Sequence, residues 1–168
     1  HHLGDPLAGW RILVDLLRPG GIMMIGLYSE IARQHIIDGR SLIAEEGYTT
    51  SPEDIRRCRQ DFISKAKHGN RTMVDICNSP DFFSLSECRD LLFHVQEHRF
   101  TIPQIEEALE ALKLRFLGFE LRNQEALRKF RKSYPGKHAL TSLPVWHTFE
   151  FANPKTFQGM YRFWCKMI

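Results

Sequence analysis

A mixed α/β fold follows from three observations. The run "IMMIGLY" at 22–28 is apolar without interruption and lies between two helix signals, the pattern of a fully buried strand of the parallel-sheet kind. "LRFLGFEL" at 114–121 reads as a second strand, and the aromatic-rich ending "MYRFWCKMI" as a third. Between them the apolar residues recur at helical spacing.

The elements follow in order. Asp5 before Pro6 is an acidic N-cap ahead of a proline at the first helical position. Leu7, Trp10, Leu13, Val14 and Leu17 then mark a helix that "RPGG" at 18–21 stops. After the first strand, Ser29 and Glu30 open a helix over roughly 29–46, closed by Gly47. "SPED" at 51–54 starts another that runs to about Lys67, with Asp54 in the acidic place of a capping box. "KHGN" at 67–70 reads as a turn, and the stretch to Pro80 as a loop or lid. Ser84 with Glu87 and Thr101 with Gln104 are two further capping boxes, starting helices over roughly 85–98 and 102–113. Past the second strand, "NQEALRKFRKSY" and "SLPVWHTFEFAN" at 142–153 read as helices.

Composition narrows the function. A charge of +3 over 168 residues gives no reason to expect nucleic acid, and the basic stretches "RRCR" and "RKFRK" fit solvated helix faces. The longest apolar run is too short to span a bilayer, so no membrane partner is expected. Cys58, Cys77, Cys88 and Cys165 form no C-x-x-C pair and read as free thiols of a cytoplasmic protein. "HVQEH" at 94–98 has the inverted zincin pattern, with His94 and His98 on one helix face if the helix continues. Glu106, Glu107 and Glu110 stand too close in sequence to be its distant third ligand, so no metal site is assigned. The stretch is read as packing, as an Asp90–His94 hydrogen bond, or as lining of a substrate site.

"HHLGDPLAGWRILVDLLRPGGIMMIGLYSE" resembles the second half of class I S-adenosylmethionine-dependent methyltransferases. There a segment like "LHHL" ends a strand, a helix follows, and a phrase like "LLRPGG" leads into the fifth strand. "RDLLFHVQEHRFTIPQIEEALEALKLRFLGFEL" and "NPKTFQGMYRFW" resemble the C-terminal region of a bacterial subgroup, some members of which carry tetratricopeptide repeats. The resemblance implies the C-terminal portion of a Rossmann-like sheet, strands five to seven, with a helical insert between strands five and six and strand seven antiparallel to its neighbours. On that reading residues 1–47 hold the end of strand four, a helix, strand five and a helix. Residues 48–113 are the insert or lid, and 114–168 hold strand six, helices and strand seven. The chain reads as a fragment cut within a larger domain. No G-x-G-x-G occurs in it, and the cofactor-binding half is expected upstream.

The implied activity is methyl transfer from S-adenosylmethionine to an unknown acceptor, with the fragment alone inactive. His1, His2 and Leu3 would lie beside the cofactor. Tyr28, Ser29, Arg33 and Asp90 would face the acceptor, with His2, His94 or His98 as the base where one is needed. Two rivals are a non-enzymatic helical interaction module and a zinc hydrolase using "HVQEH". The truncated sheet edge is expected to self-associate.

Overall fold

A computed structural model describes residues 2–94, 97–121 and 123–168. Contacts divide the chain into a sheet unit, His1–Ala32 with Gln96–Ile168, and a helical unit, Arg33–Val95.

In the sheet unit Asp5 caps α1 (Pro6–Asp15) by accepting the Ala8 N–H at 2.9 Å. Trp10 and Val14, four apart, turn into the core, whereas Leu7 and Leu13, expected on that face, are exposed. β1 (Ile22–Ser29) follows the turn at 18–21. Its long pairing is antiparallel, with β4 (Tyr161–Met167), from Ile22↔Lys166 to Leu27↔Tyr161. Only Tyr28 and Ser29 pair in parallel, with β2 (Arg99–Phe100), a two-residue strand that the sequence does not announce. β3 (Leu114–Phe119) completes the mixed, curled sheet in the order β2-β1-β4-β3, so β4 runs antiparallel to both β1 and β3. Gly118, at φ 141°, closes the bulge that separates it from Phe116, a backbone geometry that a side chain would strain.

The expectation of a fully buried β1 is corrected. Met23, Ile25, Leu27 and Ser29 face the core, but Ile22 and Met24 on the other face are 56% and 43% exposed. Within the sheet unit, the described helices pack on the core face. That covered face carries Tyr161, Phe163 and Cys165 of β4 and Leu114 and Phe116 of β3. It packs against α1, α6 (Ile102–Ala111) and α8 (Leu143–Ala152). Phe130 of α7 (Gln124–Ser133) stacks on Trp146 at 3.6 Å between ring centroids, and Phe119 meets five other rings. Burial of these rings stabilises this unit strongly, since each removes a large apolar area from water.

The helical unit has its own core, centred on Ile36, Ile55, Phe62, Ile76, Phe82 and Leu92. It contains α2 (Gln34–Glu45), α3 (Pro52–Lys67), α4 (Arg71–Cys77) and α5 (Leu85–Phe93). Three expectations are corrected here. α2 starts at Gln34, because Ser29 stays in β1 and its hydroxyl holds the turn that follows. α4 replaces the expected loop, since Asn70 accepts the Met73 N–H at 3.1 Å and Met73 and Ile76 bury together. α5 ends at Phe93, not at 98, because His94 adopts an extended conformation. In α3, Ser51 caps as expected, but the Asp54 carboxylate reaches back to Thr49 in place of the cap residue. The unit bounded at 33 and 95 also differs from the insert drawn at 48–113, since α6 lies in the sheet unit.

Candidate functional site at the carboxyl end of β1

β1 and β3 are parallel to one another, so their carboxyl ends and the start of β4 share one edge of the sheet. Ligands of open α/β sheets bind at such an edge. Ser29, the last residue of β1, is fully buried. Its hydroxyl donates to Glu150 Oε1 at 2.6 Å and accepts the Ala32 N–H at 2.9 Å, so one side chain fixes both the strand end and the departing turn. Tyr161, the first residue of β4, donates its phenol to Glu150 Oε2, also at 2.6 Å. Glu150 comes from α8 on the face of Trp146, four residues earlier. Burial raises its pKa above the ordinary carboxylate range, and the two hydroxyl donors and nearby His147 oppose that rise. Burial and the Glu150 charge hold the Tyr161 phenol protonated. The Nδ1 of His147 is buried without a hydrogen-bond partner.

A second, wetter cluster flanks the triad. Glu30, one residue past β1, takes the Arg99 Nε–H at 2.9 Å, and Arg99 also lies 3.7 Å from Glu97, whose side chain is 1% exposed. The Tyr28 ring meets the His2 imidazole edge-on at 6.0 Å. The arrangement offers a buried neutral-or-anionic carboxyl locked by hydroxyls, an arginine between two carboxylates, and an aromatic–imidazole pair. It can orient a polar ligand and hold a proton.

The structure brings His2, Tyr28 and Ser29 to one edge of the sheet. Tyr28 and Ser29 lie inside β1, not just beyond it. Leu3 is exposed and its side chain lies over Gly9. His1 is outside the described residues, as are Val95 and Gln96 of "HVQEH". His94 caps α5 in the helical unit and His98 precedes β2 in the sheet unit. The shared helix face that a zinc reading needs is therefore absent. Among the described residues no three His, Cys, Asp or Glu side chains converge as metal ligands. Arg33, 5% exposed, caps α2, and Asp90 is exposed on α5. All four cysteines are free, and burial lifts the Cys165 thiol to about 11. No described helix is long and apolar enough to cross a membrane.

Sequence reasoning passed over Glu150, Tyr161, Glu30 and Arg99. One signal was present: Glu150 occupies a core position of "VWHTFEF", where a carboxylate requires hydrogen-bonding partners.

No protein-family model matches the chain. It is 27% identical over 161 residues to an uncharacterized protein of Synechococcus sp., with 89% of this chain aligned. The chain spans 37% of that relative's length.

Proposed function

We propose that this chain is the C-terminal part of an enzyme that transfers a methyl group from S-adenosylmethionine, and that the carboxyl end of β1 forms the acceptor side of its site. The observation that carries this reading is the sheet. β4 runs antiparallel between β1 and a β3 parallel to β1, as the resemblance implies for strand seven beside strands five and six. Two further features support it. α1 leads into β1 through "LLRPGG", and no described strand lies along Ile22–Ile25 on the side away from β4.

The residues in hand do not make a cofactor pocket by themselves. The chain has no G-x-G-x-G loop, and the carboxylates at the edge, Glu30 and Glu97, are engaged with Arg99. What these residues supply is position. The Ser29–Glu150–Tyr161 lock holds the end of β1 still, which fixes where Tyr28 and Glu30 stand. Alignment of reacting groups is the main demand of an in-line displacement and is worth roughly 7–11 kcal/mol of barrier when complete. His2, against Tyr28, is the base for an acceptor that carries a proton.

Thermal unfolding of the longer protein this reading implies, with and without S-adenosylhomocysteine, tests the proposal. Binding to the folded state alone raises the midpoint with concentration. An unchanged midpoint up to saturating ligand counts against it. A second reading, a helical interaction module, rests on the separate core of Arg33–Val95. It gains if that segment alone melts cooperatively while the longer protein binds no cofactor.

A further inference from the structure

The positive excess of the chain is confined to one stretch. Residues 126–149 contain Arg128, Lys129, Arg131, Lys132 and Lys137 and no Asp or Glu, while the rest of the chain holds 18 Lys and Arg against 20 Asp and Glu. Four of the five lie on α7. Successive helical residues turn by about 100°, so Arg131, Arg128, Lys132 and Lys129 fan in that order over the side opposite Phe130. Phe130 is fully buried and the four cations are exposed. None of the four has an ion-pair partner among the described residues. Exposed arginines elsewhere do, as in Arg56–Glu53 and Arg57–Asp54. The nearest carboxylate on α7 is Glu125, in its first turn.

Beside this face a cleft of about 480 Å³ opens between the start of α7 and the end of α8. Phe149, Ala126, Ala152 and Pro154 give it an apolar lining, and Lys129 and Lys155 stand in its wall, as does Glu125. Lys129 belongs to both features, so the row of cations leads into the cleft.

We propose that the outer face of α7 and this cleft form one docking surface for an acidic polypeptide segment carrying an apolar side chain. Carboxylates of the segment lie along Arg128, Arg131 and Lys132, and its apolar group enters the cleft past Lys129. Charge complementarity of this kind steers encounter and selects partners. Single-stranded nucleic acid calls for rings on which bases stack, but Phe130 and Tyr134 pack inward, against Trp146 and Phe149. A membrane-surface helix needs a free apolar face, and that of α7 is spent in the core. The surface does not depend on methyl transfer and stands or falls separately.

The test is fluorescence anisotropy of the 168-residue chain with a fluorescein-labelled twelve-residue peptide of glutamates around one central phenylalanine. Saturable binding that weakens with salt is expected. Arg128→Glu with Lys132→Glu should weaken it at least tenfold, while Arg115→Glu, on exposed β3 surface, should leave it unchanged. Ala152→Trp, which fills the cleft, should abolish the preference for this peptide over one made of glutamate alone. Circular dichroism of each variant verifies folding, and Arg128→Gln with Lys132→Gln should give an intermediate loss. No binding at low salt, binding indifferent to the charge reversal, or tighter binding of oligouridylate or of phosphatidylserine vesicles would overturn the proposal.

Discussion

Glu150 shows how one side chain couples stability to the candidate site. Its carboxyl accepts two short hydrogen bonds from groups that would otherwise be buried and unsatisfied. Glu150→Ala strands both hydroxyls, and each loss costs about 1–3 kcal/mol, so chemical denaturation should show a fall of about 2–6 kcal/mol. Because burial raises the Glu150 pKa, the native state holds this proton more tightly than the unfolded chain. Its contribution is complete below the ordinary glutamate value of 4.5 and is lost as pH rises through the raised native value. Glu150→Gln should therefore flatten the stability–pH curve above 4.5, and a variant curve parallel to that of the parent would contradict the assignment. Phe130, stacked on Trp146, is the other residue with a large expected effect: Phe130→Ala should cost about 3–5 kcal/mol in the same measurement.

At the scale of elements, what the sequence made legible were signals written in local chemistry. Asp5, Ser51 and the Thr101–Gln104 box cap their helices as their side chains allow, and β1, β3 and β4 form on the runs at 22–28, 114–121 and 160–168 because continuous or alternating apolar residues leave no helical stripe. Thr101→Ala should cost about 1 kcal/mol, read from the shift in the denaturation midpoint. The failures were decided by contacts distant in sequence. α5 has an apolar pattern that continues past Phe93, yet the chain leaves the helix to pair Arg99 and Phe100 with the end of β1. α4 was overlooked because seven residues carry too little periodicity, although Asn70 announced it. Gly39 in α2 reads as a helix-weakening residue, but it lets α4 approach. A Cβ there would sit 2.6 Å from Ile76 Cδ1, so Gly39→Ala should destabilise by about 1–3 kcal/mol despite its better helix propensity. The candidate site was half legible. Tyr28 and Ser29 could be placed from their position after an apolar strand, while Glu150 and Tyr161 reach Ser29 only through the sheet pairing of β1 with β4.

For the molecule as a whole, the distribution of apolar surface matters most. Ile22, Met24 and Trp164 are exposed together on one face of the sheet, since Met24 and Trp164 are registered neighbours, and Ile12 and Leu13 of α1 and Leu16 at its C-cap are exposed as well. Such surface beside a strand edge promotes association. Sedimentation velocity should find dimers or larger species, and Ile22→Lys with Met24→Lys should shift the population toward monomer. The proposed role of the chain makes the same surface the seat of the cofactor-binding half of a larger enzyme. The most direct measurement is isothermal titration of S-adenosylhomocysteine into that longer protein. One ligand should bind per chain, with affinity reduced by His2→Ala but not by Arg115→Glu; a flat titration at saturating concentration would contradict the methyl-transfer reading.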